Sequence, residues 1–426
     1  MVHPQGHVEI DNYNQDPMQT LQVATGYPQI TSLSLAYLDL DDVLNRGILQ
    51  LVRSRVWKQL SIFGCWGHVD QLLKGMFELD RVERLTFKTL RPDNRVSAFI
   101  ELAAGLQKTK TLTLLDIGSG HISRLGALAL AQGLRHCTSI QTLTIDMLRM
   151  TGHDGIDGAK ALASAIASNP TIQTLHVFCT SDTDLIQKSV LEQLPNRPCP
   201  LEELHLGRIC TPWAISKVVA LLECNKLHRL DVSCIRNNEF PSCRNVDVMP
   251  IIHTLSTNTS LQVLDLSVNQ ITDEEVLSLL EILVQANSTL KALDLSYNRI
   301  SDEGLFAISS TMPRLSLKRL AIKGNMFGPQ GTSQLLEAMS IESNIEQLDM
   351  DHHLPVSAEI AWIARLNKGG RRVLLDPAFP LSLWPLILER INCLEFGGTY
   401  QPYIGRAEIE FYFVRYGPFL FEQKCP

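Results

Sequence analysis

The sequence has no Cys-x-x-Cys pair, no apolar run of membrane-spanning length and no excess of positive charge. Each absence removes a class of protein. There are ten cysteines, at 65, 137, 179, 199, 210, 224, 234, 243, 393 and 425. Their spacing excludes zinc-finger and thioredoxin-type motifs at the first step. A spanning helix needs about 18 or more uninterrupted apolar residues, so no membrane segment is expected. The net charge is −7, without the basic footprint of a nucleic-acid binder. Residues 1–13 carry Glu9 and Asp11 and lack the apolar core of a signal peptide. The expected setting is therefore the cytoplasm, with reduced thiols and with Cys65, Cys179, Cys210, Cys224 and Cys234 acting as partly buried fillers. The sequons at Asn258 and Asn287 would matter only in a secreted chain.

Catalytic signatures are missing too. Neither His-Glu-x-x-His nor Gly-x-Ser-x-Gly occurs. Residues 152–160 contain three glycines and a lysine without phosphate-loop spacing, and Gly118-Ser-Gly120 lacks the third glycine of a dinucleotide fingerprint. No enzyme activity, catalytic residue, cofactor or metal is expected, and a small-molecule substrate is not expected.

What is present is a folding composition, 45% hydrophobic and 19% charged. A chain of 426 residues suits two or three globular domains or one repeat array, which grows without outgrowing its core. Self-similarity decides for the array. Leu261-Gln-Val-Leu264-Asp-Leu266-Ser-Val-Asn269 is followed by Leu290-Lys-Ala-Leu293-Asp-Leu295-Ser-Tyr-Asn298 and Leu317-Lys-Arg-Leu320-Ala-Ile322-Lys-Gly-Asn325. All three fit L-x-x-L-x-L-x-x-N, the leucine-rich-repeat pattern. Weaker copies start at Ile30, Trp57, Val82, Leu112, Ile140, Ile172, Leu201, Leu227 and Ile345, about 28.6 residues apart on average. In the weaker copies the asparagine is replaced by Leu38, Cys65, Leu90, Gly120, Leu148, Thr180, Ile209 and Ile235.

Alternating leucines bury one face of a short strand, and parallel pairing between repeats requires a crossover behind the sheet. The crossovers read as helices: Val276, Leu279, Leu280 and Leu283 form one apolar stripe, and Thr272 with Glu275 forms a capping box. Asn169, Asn258, Asn287 and Asn344 are expected to end helices in a left-handed conformation. At least ten parallel strands are expected, with Leu264, Leu266, Leu293, Leu295, Leu320 and Ile322 in the core.

The repeat length and full helices make residues 30–351 resemble the ribonuclease-inhibitor-like leucine-rich-repeat subfamily, which includes the Ran GTPase-activating protein and the repeat domains of NOD-like receptors. The resemblance implies an α/β solenoid, a horseshoe with a parallel β-sheet on the concave face and α-helices on the convex face. It also implies a non-catalytic scaffold for a protein partner. The alternative it implies is a GTPase-activating protein of the Ran type, although the chain's final Phe421-Glu-Gln-Lys-Cys-Pro426 departs from that activator's strongly acidic tail.

The expected organisation is an N-terminal cap over 1–29, about 12–13 repeats over 30–376, and an aromatic C-terminal cap over 377–426. A thirteenth strand is read at Arg372-Val-Leu-Leu375, and a loop insertion at 237–243. The aromatic ending (Phe411, Tyr412, Phe413, Tyr416, Phe419, Phe421) resembles that of ribonuclease-inhibitor-like proteins of algae, a grouping that implies no activity.

Period-2 alternation selects the residues on the concave face. Their central column reads Ser34, Ser61, Thr86, Asp116, Thr144, His176, His205, Asp231, Asp265, Asp294, Ala321 and Asp349. Asp231, Asp265 and Asp294 are expected as a row of like charges that repel and are unsuited to stability; they read either as the common L-x-x-L-D-L-S sequence of the subfamily or as a surface able to meet a partner's basic patch. His176, His205 and Asp231 could ligate zinc by type, but three residues on an open sheet make a poor cage. His352-His353 reads as a solvated pair. The candidate protein-binding residues are Phe178, His176, His205, Asp231, Asp265, Asp294, Tyr297 and Asp349. Arg84, Lys88, Asp116 and Asp146 stand on the N-terminal part of the same face.

Overall fold

The computed structural model describes residues 2–3, 7–11, 16–88, 95–149, 153–178, 185–196, 200–207, 211–233, 247–341, 343–354 and 356–369. The expectations for Cys179, Cys199, Cys210, Cys234, Cys243, Cys393 and Cys425, for Leu90, Thr180, Ile209 and Ile235, and for the segments 237–243, 372–375 and 377–426 lie outside these residues. The chain divides into two compact units, Met1–Ile251 and Ile252–Pro426.

In the first unit, nine strands pair in parallel in chain order. They run from His7–Asp11, Ser32–Ala36, Gln59–Phe63 and Arg84–Lys88 through Leu114–His121, Thr142–Arg149 and Thr174–Phe178 to Glu203–Leu206 and Arg229–Asp231. A helix follows each of the first eight, such as Arg124–His136 and His153–Ser168, and consecutive helices pack on one another. The strand His7–Asp11 and the helix Pro17–Thr25 precede the first repeat that sequence spacing reveals. Asp16 caps that helix through the Met18 amide, with Pro17 at its first position. Val2–His3 pairs antiparallel with His7–Asp11 at the sheet edge, which covers part of an edge that would otherwise template further pairing.

The second unit repeats the design with strands Val263–Asp265, Ala292–Asp294, Arg319–Ala321 and Gln347–Asp349, all parallel. The helix Asp273–Gln285 buries Val276, Leu279, Leu280 and Leu283, and Thr272 with Glu275 forms the capping box. All six leucine and isoleucine positions expected in the core are at most 3% exposed. At about 25 cal/mol per Å² of apolar surface, such strips are what hold a solenoid together.

Asparagine does two jobs. At the strand ends, Asn298 Nδ2 donates to the carbonyls of Leu266 (3.1 Å) and Leu295 (2.9 Å), while its Oδ1 accepts from the amides of Asn269 and Ile271. Asn325 binds the carbonyls of Leu295 and Ile322 in the same way. Cys65, at the equivalent position, donates its thiol weakly to the carbonyls of Leu35 and Phe63, at 3.5 and 3.6 Å. At the helix ends, Asn169, Asn258, Asn287 and Asn344 do not take the left-handed backbone expected of them. Their side chains bridge instead. Asn169 Nδ2 donates to Leu134 and Cys137 carbonyls, and Asn287 Nδ2 to Leu255 and Asn258 carbonyls. Asn258 and Asn287 are buried, so neither sequon is accessible in the folded chain.

Candidate functional site

The described helices pack on the leucine side of the strands, and among the described residues no helix covers the opposite face. Strand register decides which side chains meet there. In the first unit the central column is continuous, Glu9 pairing with Ser34 and the series passing through Ser61, Thr86, Asp116, Thr144, His176 and His205 to Asp231. Glu9 heads a column whose first member, read from sequence, is Ser34. In the second unit Asp265, Asp294, Ala321 and Asp349 are in register. Asp231 belongs to the first unit, and Asp265 and Asp294 stand side by side in the second.

His176, His205 and Asp231 form one connected group. The two imidazoles stack with centroids 4.0 Å apart and planes 6° from parallel. His205 Nδ1 lies 3.1 Å from Asp231 Oδ2 and its Nε2 3.7 Å from Glu203. Phe178 tilts against His176, centroids 5.9 Å apart. His205 is buried, not open to solvent as a sheet-face column suggests, because its ring is roofed by His176 and clamped by two carboxylates. Burial and the neighbouring His205 push the His176 pKa down to about 4. Burial works to raise the Asp231 carboxyl, but hydrogen bonds from His205 and Ser233 prevail and lower it. Among the described residues no group of three or more His, Cys, Asp or Glu side chains is arranged to hold a metal ion.

A second group is less visible in sequence. Lys88 Nζ lies 2.8 Å from Asp146 and 3.3 Å from Asp116. Lys88 and Asp146 are separated by a whole strand, and the residue between them in register is Gly118. With no side chain there, the lysine stem passes over the middle strand. A Cβ at 118 would come within 1.9 Å of the Asp146 carbonyl oxygen. Gly118 lies inside the eight-residue strand Leu114–His121. Burial opposes the lysine charge, but the hydrogen bond to Asp146 and the charges of both carboxylates outweigh it and raise the Lys88 pKa. Burial raises the Asp116 carboxyl, and Lys88 offsets part of that rise. The signal for this group was Gly118 at a position that in adjacent repeats carries Lys88 and Asp146.

The aspartates at the strand ends have a local structural role. Asp231, Asp265 and Asp294 each accept the amide of the serine two residues on, Ser233, Ser267 and Ser296, at 2.8–2.9 Å. This turn stabilises the chain where it leaves the sheet. The expectation that these carboxylates serve no stabilising purpose is therefore corrected. Tyr297 holds a left-handed backbone (φ 56°) and lies over Gly324, where a Cβ would meet its ring at 2.4 Å. Tyr297 is 41% exposed, and Asp349 is exposed on the last described strand. No helix among the described residues is long and apolar enough to cross a membrane.

The chain carries leucine-rich repeats. The family described as "Leucine Rich repeat" matches residues 257–279 and 286–309, which hold two of the three clearest copies. A relative, the Tonsoku-like protein of Bos taurus, is 30% identical over 190 residues, 42% of this chain and 13% of that protein. The chain thus spans about an eighth of that relative's length. Solved structures with a similar course include the Rad7 and Elc1 complex of yeast, at a TM-score of 0.42 and 16% identity over 74% of this chain and 68% of that one. Another is a protein of Bacteroides fragilis, at a TM-score of 0.37 and 15% identity over 65% and 69%.

Proposed function

We propose that this chain is a non-catalytic protein-interaction scaffold, with repeats of the ribonuclease-inhibitor-like kind, that binds a protein partner across the open face of its sheets. The observation that carries the reading is register: polar and charged side chains of successive repeats stand side by side on a sheet face that no described helix of the same unit covers. Several are already held in place by their neighbours, so little side-chain entropy remains to be lost on binding. In the first unit the candidate contacts are Phe178, His176, His205 and Asp231. In the second they are Asp265, Asp294, Tyr297 and Asp349, with Tyr297 as the aromatic anchor. The in-register pair Asp265 and Asp294 suits a partner with a basic patch, and the proposed setting is the cytoplasm.

The test begins with affinity purification and mass spectrometry from the native cell. Each recovered protein is then measured against Asp231→Asn/Asp265→Asn/Asp294→Asn, which keeps shape and removes charge. Binding to this variant should weaken and lose much of its salt dependence, since exposed charges steer association and are screened by salt. Binding equal to the wild type at every ionic strength would exclude the acidic positions. Binding unchanged by Tyr297→Ala and Phe178→Ala as well would exclude the open face.

A further inference from the structure

Two residues further along each strand of the first unit, a second column runs beside the central one. Strand register sets Ala36, Phe63, Lys88, Gly118, Asp146 and Phe178 side by side in it. From Phe63 onward the series is an aromatic ring, a cation, a gap, an anion and a second aromatic ring. Phe, Trp and Tyr make up only 6% of the chain, yet three such rings gather at the ends of this series. Tyr37 packs edge-on against Phe63, centroids 5.3 Å apart, and at the other end His176 tilts against Phe178. All four rings are half-buried, so each retains surface that a partner can cover.

Between the rings the charges do not balance. Lys88 Nζ, 2.8 Å from Asp146 and 3.3 Å from Asp116, sets one ammonium against two carboxylates. Asp116 Oδ1 is buried and, among the described residues, accepts no hydrogen bond. A buried oxygen without a donor is costly, and one lysine shared between two carboxylates leaves that cost in place. A second cation on Asp146 would let Lys88 close on Asp116. Gly118 permits this shift, because the lysine meets no side chain on the middle strand. Spacing sets the length of what fits. Phe63 and Phe178 are four strand steps apart, about 19 Å at about 4.8 Å per step. An extended chain covers that distance in about six residues at about 3.3 Å each.

We propose that the column from Phe63 to Phe178 recognises an extended segment of a protein partner, apolar or aromatic at both ends and carrying a basic residue midway, laid across the strands. The proposal rests on the reading of the open face as a protein-binding surface. The end residues cover Phe63 and Phe178. The basic side chain meets Asp146 and releases Lys88 to Asp116. A guanidinium suits the place better than an ammonium, since it pairs with a carboxylate through its planar fork and stacks on an aromatic face such as that of Phe178.

The test is a nuclear magnetic resonance titration of the full, isotopically labelled chain with the peptide acetyl-Phe-Ser-Ser-Arg-Ser-Ser-Phe-amide. Saturable shifts are expected at the Gly118 amide and at the carboxyl carbons of Asp116 and Asp146. Glutamine in place of the peptide's arginine should weaken binding about tenfold, and so should Phe63→Ala with Phe178→Ala in the chain. The glutamine peptide requires no variant to fold. Equal binding of the two peptides, or shifts confined to the second unit, would overturn this column and leave the open-face reading standing. If neither the peptide nor any protein recovered from the native cell shifts a residue of the open face, both readings are overturned.

Discussion

The two units solve one problem differently: how a strand stops. In the second, every described strand is three residues long. In the first, Leu114–His121 and Thr142–Arg149 run to eight. The second unit places Asn269, Asn298 and Asn325 just beyond its strands, and the carboxamides of Asn298 and Asn325 take up carbonyls and amides of adjacent turns. An aspartate-to-serine-amide turn helps at Asp265 and Asp294. Where the first unit has Gly120 and Leu148 at the asparagine position, the ladder simply continues, pairing Gly120 with Leu148. At Leu38 and Cys65 the chain turns and then forms a second small sheet, Asp39–Leu40 with Trp66–Gly67. Asp116, which stands where other repeats start that aspartate turn, is followed two residues on by Gly118 and is engaged by Lys88. A side chain that satisfies backbone groups ends a strand; without it the backbone satisfies itself by pairing further.

The sharpest way to break this comparison is through the shared core. Leu293→Ala in the second unit should cost about 2–5 kcal/mol in urea denaturation, since a buried leucine leaves a cavity. Leu204→Ala should cost a similar amount in the first. The next effect should separate the units. Asn298→Ala strands the buried amides of Asn269 and Ile271, at about 1–3 kcal/mol per unsatisfied group. Cys65→Ala, which loses only a weak thiol donor, should cost less than Asn298→Ala; equal losses would mean that the asparagine ladder does not set the second unit apart. Gly118→Ala should destabilise by about 1–3 kcal/mol through overpacking. It should also break the Lys88–Asp146 contact, visible as a change in the chemical shift of the Asp146 carboxyl carbon.

Acid should act through the imidazole stack. The folded pKa of His176 is about 4 against an ordinary histidine value of 6.5, so the unfolded chain binds its proton first as pH falls. The stabilisation is whole above about pH 6.5, declines as pH drops toward 4 and is gone below it. Urea midpoints measured across this window should fall, and His176→Phe should flatten the fall. The smallest expected effect concerns thiols. Cys224 is exposed and Cys65 and Cys137 are buried, with burial pushing the Cys65 pKa up to about 11. Peptide mapping after brief alkylation of the native chain should find Cys224 modified and Cys65 and Cys137 intact. Rapid labelling of Cys65 would show that its turn opens readily. Cys224 is itself a departure from the expected buried filler, because it caps the exposed end of the helix Pro212–Glu223.

Much of the fold was legible because it is periodic. Leu264, Leu293 and Leu320 occupy the core of their own repeats, and a one-residue slip would turn them out to solvent, so spacing alone places them. The central column was legible for the same reason, from Ser34 to Asp231 and again from Asp265 to Asp349. The strand His7–Asp11 escaped because it lies in a polar stretch where Val8 and Ile10 are its only inward leucine-like positions. The role of Asn287 escaped because a bridge to Leu255 depends on a residue 32 positions away.

By itself the sequence determined the repeat, the inward side chains and which residues share a column, since these follow from periods of two along a strand and about 28 along the chain. Only the tertiary structure decided what the columns do. It let Lys88 cross a strand to reach Asp146, because nothing stands at Gly118. It buried His205 under His176, and it gave the aspartates serine amides to hold. Those outcomes rest on distances between side chains of different strands and on small differences in burial, which spacing along one chain does not encode.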